Sequence, residues 1–293
     1  MTEVLEEESL PVPFATSTLG EYGNMLPIGI LTEDGQLHKE FTFRELNWDE
    51  EDEIDRIRNS KKGPGDHPAR LVTSVLAHML SQWGGNSRFH TAPLDSRIRA
   101  IETAFMEDVL YAWVAFRIQE LDPVYTVTIK ECVSCEREYN WTTDLNDLEV
   151  KVAQSVPEHH VFKLSREISH GPSEVDRVSI GCPRWNGVTS IDYNARKKGF
   201  ATIKRGILMG AIHHVFDHRT PETVHALSPS IRRRIRKVDM ERMTAIPDSG
   251  LFPRADMTFH MSCPHCQASL ETSLDWTWDF FFGSASLSST ATS

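Results

Sequence analysis

"MSCPHCQASLETSLDWTWDFFFGS" (residues 261–284) carries Cys263 and Cys266 at the two-residue spacing of a metal knuckle. Two thiolates cannot close a tetrahedral site, which takes four ligands. A matching pair stands at Cys132 and Cys135 in "ECVSCE", and 127 residues separate Cys135 from Cys263. That distance is far longer than in a simple zinc finger, so spacing alone leaves the pairing open. The flanking residues narrow it. "VYTVTIKE" (124–131) and "MTFHM" (257–261) read as strands entering the knuckles, and "YNWTTDL" (139–145) and "SLETSL" (269–274) as strands leaving them. Strand, knuckle, strand is the grammar of a zinc ribbon, because the tight turn aims two sulfurs at one point. Two such hairpins predict one closed, structural Zn2+ held by Cys132, Cys135, Cys263 and Cys266, with no open position for a substrate. Metal binding would then help to fold the hairpins together.

The likeness extends outward. Pro123 lies nine residues before Cys132 and Pro253 ten before Cys263, while Asp144 and Asp275 each follow the second cysteine of their pair by nine. Arginine-bearing helical stretches (95–121 and 228–246) precede both knuckles, and strand-like openings, "KEFTFREL" (39–46) and "HVFKLSREI" (160–168), precede those. The pattern predicts an α+β protein built from two diverged repeats, 26–150 and 151–282, clasped by a split four-cysteine zinc ribbon. A loose acidic arm (1–25) and a flexible serine-rich tail (283–293) flank them.

Within the first repeat, 26–46 reads as a hairpin around a D-G turn. Residues 47–60 read as a short acidic helix capped by Asn47, and 69–85 as an amphipathic helix ended by Gly84 and Gly85. One long helix is expected from about 95 to 120. In the second repeat, 175–200 mixes turn and strand signals, and "TIKRGILMGAIHHVFDHR" (202–219) reads as a helix.

Charge and motifs bound the function. The chain of 293 residues has a net charge of −11, a field that repels nucleic acid and anionic membranes. No apolar run approaches the roughly 20 residues of a membrane span. The acidic "MTEVLEEESLPVPF" start is unlike a signal peptide, so a cytosolic protein with reduced thiols is expected. There is no phosphate-binding loop, dinucleotide fingerprint or nucleophile elbow. His213, His214 and His218 lack the glutamate of a hydrolytic H-E-x-x-H helix, His260 and His265 flank the second knuckle, and "DEEDEID" (49–55) lacks the pattern of a calcium loop. Cys182 reads as a small buried apolar residue. No catalytic constellation emerges, and a non-enzyme is expected. Five aromatics, Trp276, Trp278, Phe280, Phe281 and Phe282, crowd the stretch after the second knuckle, suited either to closing the core or to docking a partner.

Assembled, these pieces resemble the T4-type baseplate hub and tail assembly proteins of contractile-tailed bacteriophages. The resemblance is carried by "LPIGILTEDGQLHKEFTFRELNWDEEDEI", "APLDSRIRAIETAF", "CVSCEREYNWTTDLNDLEV" and the closing "SCPHC…LDWTWDFFF". It implies a non-enzymatic protein that helps to build the central hub through contacts with other baseplate or tail proteins. It also implies a place in the host-cell cytoplasm during assembly or in the virion tail, with the four cysteines as zinc ligands. The acidic arm, the serine-rich tail and the irregular 170–200 stretch depart from the pattern. Two rival readings stay open: a nucleic-acid-associated zinc-ribbon factor using the basic "RRRIRK" (232–237), and a C-x-x-C dithiol redox protein.

Overall fold

The computed structural model describes residues 14–32, 35–45, 47–59, 67–155, 157, 159–170, 173–189, 208, 211–217, 224–226, 231, 234–248, 254–255, 258–273 and 285–287. Helices and strands both occur along the chain, which makes it a mixed α and β protein. Strand β1 (Phe14–Thr18) leads into the short helix α1 (Leu19–Tyr22), opened by a capping box between Thr18 and Glu21. Residues 14–22, inside the stretch expected to be a loose arm, are thus strand and helix, because β1 pairs with a later strand. The predicted hairpin is present: β2 (Met25–Leu31) and β3 (Leu37–Phe43) run antiparallel, with Leu31 opposite Leu37. Helix α2 (Trp48–Arg58) starts where expected, with the Asn47 side chain accepting from the Asp49 and Glu50 amides at 3.0 and 3.3 Å.

Helix α3 (Pro68–Met79) ends earlier than its glycines suggest. Residues Leu80–Trp83 form β4, which pairs with β3 (Phe41 opposite Trp83). Gly84 and Gly85 turn the chain after this strand instead of capping a helix. A Cβ on Gly84, at φ +55°, would lie 2.3 Å from Ile30, so the β2–β3 hairpin packs directly on that turn.

The single helix expected over 95–120 is two, α4 (Leu94–Thr103) and α5 (Met106–Glu120). The break has a physical cause in a distant segment. The Trp185 amide donates to the Ala104 carbonyl (2.9 Å), and the Met106 amide donates to the Pro183 carbonyl (2.8 Å). Residues 183–185 thus take up backbone groups that a continuous helix would pair internally. The chain then runs through β5 (Val124–Ile129), β6 (Tyr139–Asp144) and β7 (Glu149–Ala153), which pairs with β1.

In the second half, β8 (His160–His170) and β9 (Ser173–Ile180) form a hairpin, and α6 (Trp185–Thr189) follows. Strands β10 (Ile212–Asp217) and β11 (Val224–Ala226) complete an antiparallel sheet in the order β11-β10-β9-β8. Residues 212–217 are therefore a strand where a helix over 202–219 was predicted. A bulge between Ile212 and His214 lets Ile212 and Val215 both face the core opposite Ile180 and Val178, and that burial overrides the helical reading. Helix α7 (Lys237–Asp248) packs on β8, and β12 (Arg254–Ala255) joins β7. The last hairpin is β13 (Thr258–Ser262) with β14 (Ser269–Ser273). Strand β15 (Ala285–Leu287), inside the expected flexible tail, runs parallel to β5.

Two cores result. The larger surrounds α5, which is buried on every side from Asp108 to Arg117, the signature of a central helix. It draws on both ends of the chain, from Leu19 and Leu26 to Trp185, Phe259, Met261 and Cys263. The smaller lies between the four-stranded sheet and α7, with Val175, Val178, Ile212, Val215 and Met243 at its centre. The stretches paired in sequence as 39–46 and 160–168 occupy different places, β3 being the second strand of its hairpin and β8 the first. Among the described residues, no helix is long and apolar enough to cross a membrane.

Asp108 locks α5 to β2. Its carboxylate is fully buried and accepts from the Ile28 and Gly29 amides at 2.8 and 3.0 Å. Burial pushes its pKa up to about 7, against the pull of those amides, Lys39 and Arg184.

Candidate metal centre

Each knuckle begins as its hairpin runs out of cross-strand partners, beyond Ile129↔Tyr139 in one and Ser262↔Ser269 in the other. The two turns are closed by the same bonds. In the first, the Cys132 amide donates to the Arg137 carbonyl (3.1 Å) and the Glu136 amide to the Cys132 carbonyl (3.0 Å). In the second, the Cys263 amide donates to the Ala268 carbonyl (2.9 Å) and the Gln267 amide to the Cys263 carbonyl (2.9 Å). The residue after the second cysteine is left-handed in both, Glu136 at φ 60° and Gln267 at φ 61°. Two segments more than a hundred residues apart thus fold into one local geometry.

The hairpins touch through an aromatic pair. Trp141 of β6 packs on Phe259 of β13 with ring centroids 5.2 Å apart, and Phe259 and Met261 enter the main core. This contact brings the knuckles together. Cys132 Sγ lies 3.6 Å from Cys266 Sγ, and Cys135 Sγ lies 3.8 Å from Cys263 Sγ. All four sulfurs fall within 4.8 Å of one another, so they could hold a metal ion. Cys132 and Cys263 are buried, Cys135 is half-buried and Cys266 is exposed, which places the cluster at the edge of the core.

The electrostatics suit a cation. Amides of Cys135 and Ser134 donate to the Cys132 sulfur and, with Cys263 and Cys266 nearby, hold its pKa down to about 6. At Cys135 the Arg137 amide pulls the same way. Desolvation and the three neighbouring sulfurs outweigh it and push that thiol up to about 12. Cys132 and Cys135 are thus pushed in opposite directions, and a cation among the four sulfurs would relieve the repulsion between thiolates. The Tyr139 phenol faces the same cluster, its pKa raised by burial and then by the four cysteines.

The remaining candidates lie elsewhere. Cys182 sits in a separate apolar pocket with Ile28, Phe105 and Ala153, and burial, then Glu107 and Asp108, push its thiol up. His213 and His214 are on strand β10, and His218 lies outside the described residues. His260 pairs across the hairpin with Glu271 at 3.9 Å on an exposed surface, and His265 is exposed between Cys263 and Cys266. The acidic "DEEDEID" run forms α2. In the basic run, Arg234, Arg236 and Lys237 are exposed and Ile235 is buried, while Arg232 and Arg233 lie outside the described residues. Trp276, Trp278, Phe280, Phe281 and Phe282 also lie outside them. The amide donors of Ser134, Cys135 and Arg137 escaped sequence reasoning because backbone groups leave no mark on residue identity. No protein-family model, curated protein or solved structure matches this chain.

Proposed function

We propose that this chain is a non-enzymatic assembly protein whose two hairpins are clasped by one structural zinc ion, Cys132, Cys135, Cys263 and Cys266 being its ligands. The observation that carries this reading is the convergence of four sulfurs from hairpins far apart in sequence. A tetrahedral Zn2+ with sulfurs at about 2.3 Å sets adjacent sulfurs about 3.8 Å apart. The closest cross-hairpin pairs, at 3.6 and 3.8 Å, match that edge. Four thiolates fill the tetrahedron, so the ion keeps no position for a substrate and works as a clasp.

The biological setting follows from the sequence resemblance: a contractile phage tail, with the chain contributing to the baseplate hub by protein–protein contacts. A rigid, unreactive clasp suits such a role, and the aromatic residues 276–282 are the docking segment of this reading. Chelation tests the clasp. A strong chelator should lower the melting temperature by about 10 °C or more, because metal binding is folding energy. A melt indifferent to chelator would remove the metal from the account. Gradient sedimentation of lysates that make contractile tails tests the setting. The chain should travel with hub intermediates, and a chain found apart from them would leave only the clasp.

A further inference from the structure

Helix α2 has two unlike faces. Glu50, Ile54 and Ile57 are buried, on the side that packs against α3. The opposite side presents Trp48, Asp52 and Asp55, spaced i, i+4 and i+7, with Asp49 and Glu51 beside them, all exposed. Trp48 is 84% exposed, the most of any large apolar side chain among the described residues. A tryptophan in water contributes no burial to its own fold, whereas tryptophan leads the residue types that anchor interfaces. The carboxylates around it give this face a negative field that a cationic counterpart would complement.

The chain carries such a counterpart. At the entrance to α7, Arg234, Arg236 and Lys237 are exposed beside Val238, which is 43% exposed. Arg234 donates to the Ser169 carbonyl and Lys237 lies 3.5 Å from Glu241, contacts at the surface that leave these side chains in solvent. Ile235 anchors this entrance in the smaller core, whereas Ile54 and Ile57 anchor α2 in the larger one. The two patches are therefore different surfaces of one molecule.

We propose that α2 of one copy docks on the α7 entrance of a second copy. Trp48 lies against Val238 and the arginine stems, and Asp52 and Asp55 face Arg236 and Lys237. The arginine stems add apolar area, and a guanidinium over the indole adds a cation–π contact. Each copy carries both patches, so two copies can pair reciprocally about a two-fold axis, or further copies can extend the contact into a ring or a chain. The inference does not depend on the metal. Added salt screens both the attraction at the contact and the repulsion between chains of net charge −11, so charge reversal is the cleaner probe.

Sedimentation velocity of the full-length protein, from about 1 µM to about 100 µM, spans the affinities at issue. The wild type should sediment as species heavier than the 33.3 kDa monomer. Trp48→Ala should weaken association at least about tenfold. Asp52→Lys with Asp55→Lys, and separately Arg236→Glu with Lys237→Glu, should each leave monomers. An equimolar mixture of these two variants should associate again, since the unaltered α7 entrance of the first meets the unaltered α2 of the second and the two reversed patches also pair. All substituted side chains are exposed, and each variant should keep the wild-type circular dichroism spectrum. A wild type that stays monomeric throughout, assemblies that ignore the substitutions, or a mixture that stays monomeric would each overturn the proposal.

Discussion

Glu136 and Gln267 occupy the same position in their knuckles and share a left-handed backbone, at φ 60° and 61°. Non-glycine residues seldom adopt it, and β-branched ones least of all. Glu136→Val and Gln267→Val should each cost about 1–2 kcal/mol in chemical denaturation, while glycine at either position should be tolerated. Asp108 gives a second test. Its folded pKa of about 7 lies above the usual carboxylate value, so the native state holds the extra proton between about pH 4 and pH 7. Its contribution to stability is therefore complete below about pH 4 and is lost as pH rises through 7, by up to about 4 kcal/mol. Asp108→Asn should flatten that part of the stability–pH curve. It should also cost about 2–4 kcal/mol, because the Asn nitrogen, a donor, replaces one of the two oxygens that accept separately from Ile28 and Gly29. The cysteines were legible in sequence because knuckle spacing is local. Asp108 was not, because its partners lie about eighty residues earlier and are backbone amides.

At the scale of elements, the β2–β3 hairpin and α2 were readable from a turn dipeptide and a capping asparagine, both local signals. The break between α4 and α5 was invisible because residues 183–185 impose it from outside. Trp185 is fully buried, and its Nε1 donates to Thr73 Oγ1 at 2.8 Å, tying α6 to α3. Trp185→Ala should cost about 3–5 kcal/mol, read as a lower urea midpoint with the slope unchanged. Trp185→Phe should cost less, since most of the ring area remains. Strand β10 was misread for a related reason. Its valine and isoleucine suit a helix or a strand, and only pairing with β9 decides between them.

At the scale of the whole molecule, the main core takes Phe259, Met261 and Cys263 from the end of the chain and builds them around α5 from its middle. A chain ending at residue 248 should therefore lose cooperative unfolding throughout the first half, not only its second knuckle. Loss of amide exchange protection in α5 would report this. The central claim is that one zinc ion joins both hairpins. Native mass spectrometry of the purified wild type beside Cys132→Ser and Cys263→Ser tests it most directly. One zinc per wild-type chain is expected, and none in either variant, each of which removes one ligand from the same ion. A wild type without metal, or single variants that keep a full zinc ion, would contradict it.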